Sequence, residues 1–373
     1  MTNEELAAWA KDPERQDTLP YGLFEPRYQK GIVGAALVVR GVLYFRNGHT
    51  RAVREGLTRC FDLYSAAIAD YQNAADAAAG HQPSKTGPLR WFYEEGKQPV
   101  PFEKAPAFGR VAAAIPADDA FAVTVTSADH KLAAGFFEFS VFCVDAWQSD
   151  AGRGLDVLAF SVPRAFLQIR PGGFQSLFAT FASLVPTVHG HAGYACNVPP
   201  MGREPNEASE YFLARRYGPG LDVGDPMRTN VRHLVDRIKT VDWLVALDAD
   251  MLRLVGGAAR LPLPPDWYGR RRFGEGGLVI QAGVEPQTGI SAGEGSPPAP
   301  PPAYVALNAA LRPIVADTID SLQDGTLSST APLLDTTVAS EGWLRRFDAS
   351  PDDLLRAQAA ILDTPKLSDS DRT

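Results

Sequence analysis

The segment from Leu155 to Val198 is the most apolar long stretch of the chain, and it constrains the fold more than any other. Its first part alternates as a strand does, and its β-branched and aromatic members are Val157, Phe160, Val162 and Phe166. Pro171-Gly172-Gly173 breaks this pattern, and apolar residues then recur at helical spacing until Pro186, namely Phe174, Leu177, Phe178, Phe181, Leu184 and Val185. A second extended piece follows. Because so apolar a strand–helix–strand unit must be covered on most sides, we expect it in the middle of the core.

The remaining chain alternates between strand and helix patterns. Strands are predicted at Ile32–Phe45, Leu89–Tyr93, Phe121–Thr126, Phe136–Val144 and Leu278–Val284, with Val241–Leu247 as a strand or a helix start. Helices are predicted at Glu4–Lys11, from Thr50 to Gly80, and at Arg203–Tyr217, Asp250–Val255, Tyr304–Leu322 (kinked or broken at Pro313) and Asp352–Leu362. These patterns predict an α+β protein with a mixed or mostly antiparallel sheet and packed helices, in one body or two lobes, plus a C-terminal helical extension.

Composition shifts divide the chain into four parts. We expect residues 1–30 to form an N-terminal arm and residues 31–284 to form the α+β domain. Residues 285–303 are rich in Pro and Gly without periodicity, which is typical of a loop or linker. Residues 304–373 form the C-terminal helical extension.

Composition indicates a water-soluble globular protein. The 373 residues are 45% apolar and 21% charged, and no apolar run approaches the roughly 20 residues that cross a bilayer. The polar, acidic N-terminus has no signal-peptide pattern, so we expect a cytoplasmic protein. Three scattered cysteines in apolar surroundings favour buried thiols over disulfides. A net charge of −8 argues against direct nucleic-acid binding.

Acidic residues are concentrated in two stretches that are nearly free of basic residues. The first contains Asp118, Asp119, Asp129, Glu138, Asp145 and Asp150 with a single Lys131. The second contains Asp317, Asp320, Asp324, Asp335 and Glu341. Each stretch is either a surface that meets a basic partner or an ordinary solvated face.

No catalytic motif stands out. His189 and His191 share a face of a strand, as metal ligands would, but the further ligands of a zinc site are missing from the pattern. Cys196 lacks a neighbouring base, although a spatial pairing with either histidine stays open. Asp248 and Asp250 are either a carboxylate pair for a cation or helix caps. The hydrolase and nucleotide-binding signatures are absent, so we expect no cofactor and no metal.

Several blocks, in order and spanning about Ile32 to Gly257, resemble one protein family. They are GVLYFRNGH with TRAVREGLTRCFDLY, FFEFSVF, VPRAFLQ with GGFQSLFATFASLVPTVHGHAGYACN, YFLARRYGPGLDV, and IKTVDWLVALDADMLRLVGG. Together they resemble the type VI secretion immunity family, the TsiV-like proteins. The C-terminal part after Gly283 carries none of these blocks.

The resemblance implies an antidote rather than an enzyme. Members of this family are expected to bind a cognate antibacterial effector, typically a nuclease, and to obstruct its active site or DNA groove. The resemblance supplies no contact residues, so the contact candidates come from charge alone, namely Asp118, Asp119, Asp129, Glu138 and Asp145, and then Asp317, Asp320 and Asp324. Two alternatives stay open, an enzyme that uses His189, His191 and Cys196, and an effector-binding adaptor without inhibitory role.

Overall fold

One antiparallel sheet runs through the part of the chain that the structure describes. The computed structural model describes residues 23–24, 32–80, 82, 87–290, 297–325 and 333–369. The strands are β1 (Leu23–Phe24), β2 (Ala35–Phe45), β3 (Trp91–Glu94), β4 (Val100–Pro101), β5 (Phe121–Thr126), β6 (Glu138–Cys143), β7 (Asp156–Val162), β8 (Thr187–Asn197), β9 (Leu244–Leu247), β10 (Tyr268–Phe273) and β11 (Gly277–Ala282). Their order is β10-β11-β9-β8-β2-β7-β6-β5-β3-β4, and β1 pairs with the start of β2. Every strand pair is antiparallel, which confirms the predicted α+β class.

Eleven α-helices lie among these described residues. They are α1 (Arg51–Ala78), α2 (Phe108–Ala114), α3 (Ala146–Asp150), α4 (Ala165–Ile169), α5 (Gly173–Leu184), α6 (Glu207–Tyr217), α7 (Thr229–Arg232), α8 (Ala249–Leu254), α9 (Pro302–Leu311), α10 (Thr337–Leu344) and α11 (Pro351–Ile361). The predicted Glu4–Lys11 helix lies outside the described residues. No described helix is both long and apolar enough to cross a bilayer.

The centre of the sheet is β2, which lies between β7 and β8. Helices α1 and α5 cover one face there with aromatic side chains, and the ring centroids of Phe160 and Phe181 are 4.8 Å apart. A Cβ on Gly41 would lie 2.6 Å from the ring of Phe160, so only glycine lets this ring rest against β2. The predicted strand–helix–strand unit is thus confirmed as the middle of the core.

Helix α1 follows a tight turn at Asn47. Asn47 adopts a left-handed conformation with φ 63°, and Thr50 precedes the first helical residue. The buried positions of α1 include Leu57, Tyr64 and Ile68, which repeat at helical spacing. This apolar stripe is the face that packs on the sheet.

Two predicted details are wrong, and one strand was missed. Phe166 lies in α4 rather than in a strand, because Pro163 interrupts the ladder directly after β7. Strand β10 was not predicted, since three of its six residues are arginines, Arg270 to Arg272, which mask its alternation. The predicted helix Tyr304–Leu322 stops near Pro313, where a short 3₁₀ turn (Arg312–Ile314) ends the helical region.

The two outer strands of the sheet are short or charged. Strand β4 has two residues and ends in Pro101, which has no backbone N–H to donate. Strand β10 exposes Arg271 and Arg272. Both are features that block the addition of a further strand.

The C-terminal helices share the main core. Tyr304 of α9, Trp343 of α10 and Ile361 of α11 belong to the same buried hydrophobic cluster as the sheet. The hydroxyl of Tyr268 in β10 donates to the carbonyl oxygen of Ala303 at 2.8 Å. These contacts join the C-terminal helices directly to the strands.

Candidate partner-binding surface

The sheet face opposite α1 and α5 carries a buried ionic cluster around Asp222. Its Oδ2 lies 3.1 Å from Nη2 of Arg40 and 3.1 Å from Nε2 of His191. Its Oδ1 lies 2.7 Å from Nζ of Lys239. All four side chains are buried, and a β-bridge between Asp222 and Ala195 fixes the carboxylate beside β8. The cluster therefore ties β2 and β8 to the chain that follows α6.

The surrounding cations keep Asp222 ionised. Burial raises the pKa of this carboxyl, but Lys239, the hydrogen bond from His191 and Arg40 together hold the pKa well below its usual range. Burial lowers the pKa of His191, so the neutral ring donates its Nε2–H to Asp222. The arrangement is that of a paired structural cluster, because each ion has an opposite charge beside it.

The three residues of the enzyme alternative do not converge. Nε2 of His189 donates to the carbonyl oxygen of Leu234 at 2.8 Å, and its ring lies 4.8 Å from that of Tyr44 between centroids. His191 is engaged by Asp222, and Cys196 points to the other face of β8, because it is an odd number of residues away. All three are buried, so the structure does not assemble them in an open pocket.

The other candidate metal ligands have structural roles. Asp248 is the N-cap of α8 and accepts from the backbone N–H of Met251 at 2.7 Å. Asp250, exposed in the first turn of α8, pairs with Arg253. Within the described residues, no group of three His, Cys, Asp or Glu side chains is arranged to hold a metal ion.

Part of the first acidic stretch gathers at one end of the sheet. The loop that carries Asp118 and Asp119 leads into β5, and α3 follows β6 at the same end. The backbone N–H of Ala146 donates to the carbonyl oxygen of Ala117 at 2.9 Å, which joins the two segments. We call this surface the acidic platform, and it consists of Asp118, Asp119, Asp145, Trp147 and Asp150.

The members of the acidic platform differ in what their carboxylates do. Asp118, Asp119 and Asp150 are exposed. Asp145 is half-buried and caps α3, since its Oδ1 accepts from the backbone N–H of Gln148 at 2.9 Å. The free negative charge of the platform is therefore carried by the first three.

Asp129 and Glu138 lie at the other end of the β5–β6 hairpin. Six residues of β5 separate them from Asp118, which is roughly 20 Å along a strand. Asp129 is exposed, whereas Glu138 is half-buried, and burial raises its pKa to about 7. The first acidic stretch is thus not one continuous face.

The second acidic stretch is partly neutralised by its own chain. Asp317 lies 2.5 Å from Nη2 of Arg312, and Asp324 lies 2.5 Å from Nη1 of Arg228. Asp320 is exposed. This stretch consequently offers less free negative charge than the acidic platform.

A groove of about 1010 Å³ lies between α6 and α10. Its walls include the exposed side chains of Phe212 and Val338 and two exposed arginines, Arg215 and Arg216. Its charge is opposite to that of the acidic platform, so the two surfaces suit different partners.

The comparisons with known proteins identify the family. Residues 56–347 match the family TsiV, which is described as type VI immunity for VRR-NUC. The chain belongs to the TsiV family. A solved structure of a Pseudomonas aeruginosa T6SS protein is similar, with a TM-score of 0.81 and 31% sequence identity over 100% of this chain and 99% of that chain. Among curated proteins, none matches the sequence. The resemblance found in the sequence is therefore confirmed.

In this TsiV family member, sequence reasoning missed Trp147. Only the acids of that stretch were considered as contact candidates. A tryptophan in VDAWQSD, directly after a predicted strand, also indicates a candidate contact residue. The structure leaves 55% of Trp147 exposed. A largely exposed tryptophan is unusual, and tryptophan is enriched at protein–protein contacts.

Proposed function

We propose that the chain binds a cognate VRR-NUC nuclease effector of type VI secretion and neutralises it by covering its active site or DNA groove. The family assignment over residues 56–347 is the observation that carries this proposal. The P. aeruginosa relative, named as a T6SS protein, supports the same secretion context. The partner is a protein, and the chain acts by stoichiometric binding.

Electrostatics supports the mode of binding. A groove that accepts DNA must present positive charge to phosphates. The acidic platform offers Asp118, Asp119 and Asp150 at one exposed end of the sheet, and the whole chain has a net charge of −8. We therefore place the first contact between the acidic platform and the basic groove of the effector.

Co-expression with a VRR-NUC effector whose gene neighbours the gene of this chain tests the proposal. The immunity protein is expected to restore growth and, once purified, to abolish the nuclease activity at an equimolar ratio. A complex in which the effector stays fully active would contradict neutralisation and favour an adaptor. Nuclease activity that remains at tenfold excess of this chain, without any complex, would contradict the proposal altogether.

A charge-reversal pair locates the contact. We expect Asp118→Lys with Asp119→Lys to slow association about tenfold at low salt, and less at high salt, because steering is screened. The matched control is Glu275→Lys with Glu285→Lys, which changes the charge equally at exposed positions remote along the sheet order from β5. Equal association rates for both double variants would remove the acidic platform from the interface. Asp129→Lys and Asp320→Lys then test the other acidic candidates one at a time.

A further inference from the structure

We propose that Trp147 is the apolar anchor by which the acidic platform holds the basic groove of the effector. This inference rests on the proposed function. It assigns to Trp147 the stabilisation of the complex after electrostatic attraction has brought the partners together. The acids steer the partner, and the indole then fixes the bound state by losing its contact with water. The occupant is a basic, DNA-binding groove, since the tryptophan stands among like-charged carboxylates.

The position of Trp147 is defined by hydrogen bonds on both sides of it. Asp145 starts α3, and both its carboxylate oxygens accept from Gln148, at 2.9 Å from the backbone nitrogen and 3.2 Å from Nε2. Ala146 is tied to Ala117 in the neighbouring loop. An anchor on a rigid segment loses little conformational entropy when it binds, which favours affinity.

Arg54 of α1 holds the loop that carries the acids. Its guanidinium is buried and donates to the carbonyl oxygens of Gly48 at 3.3 Å, Ala112 at 3.2 Å and Pro116 at 3.2 Å, and also to that of Ile115. These bonds connect the core helix to the residues directly before Asp118. The loop is thereby set in place before any partner arrives.

The side chain of Trp147 has one cation beside it and retains exposed surface for a second. The guanidinium of Arg153 lies 5.4 Å from the centroid of the Trp147 ring, so one cation already stacks there. Trp147 is still 55% exposed, and it lies in the same short helix as Asp150. An aromatic surface next to free carboxylates suits the arginine and lysine side chains that line a DNA-binding groove.

Surface plasmon resonance with the intact chain and the immobilised effector measures the two effects separately. The dissociation rate reports the anchor, and the association rate reports electrostatic steering. We expect Trp147→Ala to raise the dissociation rate at least tenfold and to change the association rate less than twofold. Trp147→Phe should recover part of the loss. Asp118→Lys with Asp119→Lys should show the reverse division between the two rates.

The matched control is Leu355→Ala, which removes an exposed apolar side chain on α11 and should leave both rates unchanged. A dissociation rate of Trp147→Ala within twofold of the unsubstituted protein would overturn the anchor while the proposed function stands, provided that the unsubstituted protein neutralises the effector. Failure of the unsubstituted protein to bind overturns both. Thermal unfolding of each variant at an unchanged midpoint shows that rate changes do not come from misfolding.

Discussion

The carboxylate of Asp242 lies in the space that a side chain on Gly193 would occupy. A Cβ built on Gly193 would be 1.9 Å from Oδ1 of Asp242. That carboxylate is buried and accepts from the backbone N–H of Trp243 at 2.7 Å. Strand β8 therefore needs a glycine here, because Asp242 approaches its backbone closely.

Gly193→Ala should destabilise the fold. The added methyl group displaces a buried carboxylate and its hydrogen bond, and overpacking of this kind costs about 1–3 kcal/mol. Urea denaturation measures the loss. The control is Gly342→Ala in α10, where no heavy atom lies within 4 Å of the added Cβ, and we expect a gain of up to about 1 kcal/mol there. Equal effects at the two glycines would contradict the steric reason.

Asp222→Ala should strongly lower the free energy of unfolding. It leaves Arg40 and Lys239 buried beside each other without their counter-ion, and breaking a buried pair in this way costs about 3–5 kcal/mol. The midpoint of urea unfolding reports it. Asp236→Ala, an exposed acid beside Arg237, should cost less than about 0.5 kcal/mol. A loss below 1 kcal/mol for Asp222→Ala would mean that the cluster contributes little to the fold.

His189 should make the protein less stable as pH falls from 6.5 towards 4. Burial lowers the pKa of His189 from 6.5 to about 4, so the unfolded chain binds its proton more readily than the folded protein. Its contribution to the free energy of unfolding is fully present above pH 6.5 and is lost as pH falls towards 4, with an upper limit of about 3 kcal/mol. Burial raises the pKa of Asp242 to about 8, which has the opposite effect on stability.

The effect of His189 is therefore measured as a difference in the free energy of unfolding between two proteins. Urea unfolding of the unsubstituted protein and of His189→Gln between pH 7 and 4 gives two curves, and the gap between them isolates this histidine. We expect the stability of the variant to fall less steeply than that of the unsubstituted protein. Parallel curves would show that His189 is not held neutral by the fold.

The three thiols should be unreactive in the folded protein. Cys60, Cys143 and Cys196 are free and buried, and burial raises the pKa of each thiol, so the reactive thiolate is scarce. A colorimetric thiol reagent should titrate none of them rapidly in buffer and all three in denaturant. Rapid reaction of one thiol without denaturant would place it at the surface.

Much of the fold follows from local pattern. Apolar residues recur at a spacing close to 3.6 in α1 and 2 in β5 and β6, so the bounds of these elements were predicted within a few residues. Strand β10 could not be predicted in this way, because an edge strand exposed to solvent tolerates the consecutive arginines Arg270 to Arg272. Its place is decided by pairing with β11, which is a tertiary interaction.

The candidate surface was less accessible to sequence reasoning. The charges of Asp118 and Asp129 are visible in the chain, but the contact between Ala117 and Ala146 that brings the loop of Asp118 beside α3 is not. The burial of Asp145 and Glu138 likewise depends on neighbours distant in sequence. The sequence shows Trp147 as an aromatic residue among acids directly after a predicted strand, whereas its exposure is seen only in the structure.

The blunt outer strands have a consequence for the association of copies of this protein at high concentration. An exposed strand edge is a template on which another copy of the chain can pair. Extension of the sheet from one molecule to the next is obstructed by Pro101 at one side and by Arg271 and Arg272 at the other. At high concentration, these edges therefore oppose the strand-by-strand association of copies into fibres.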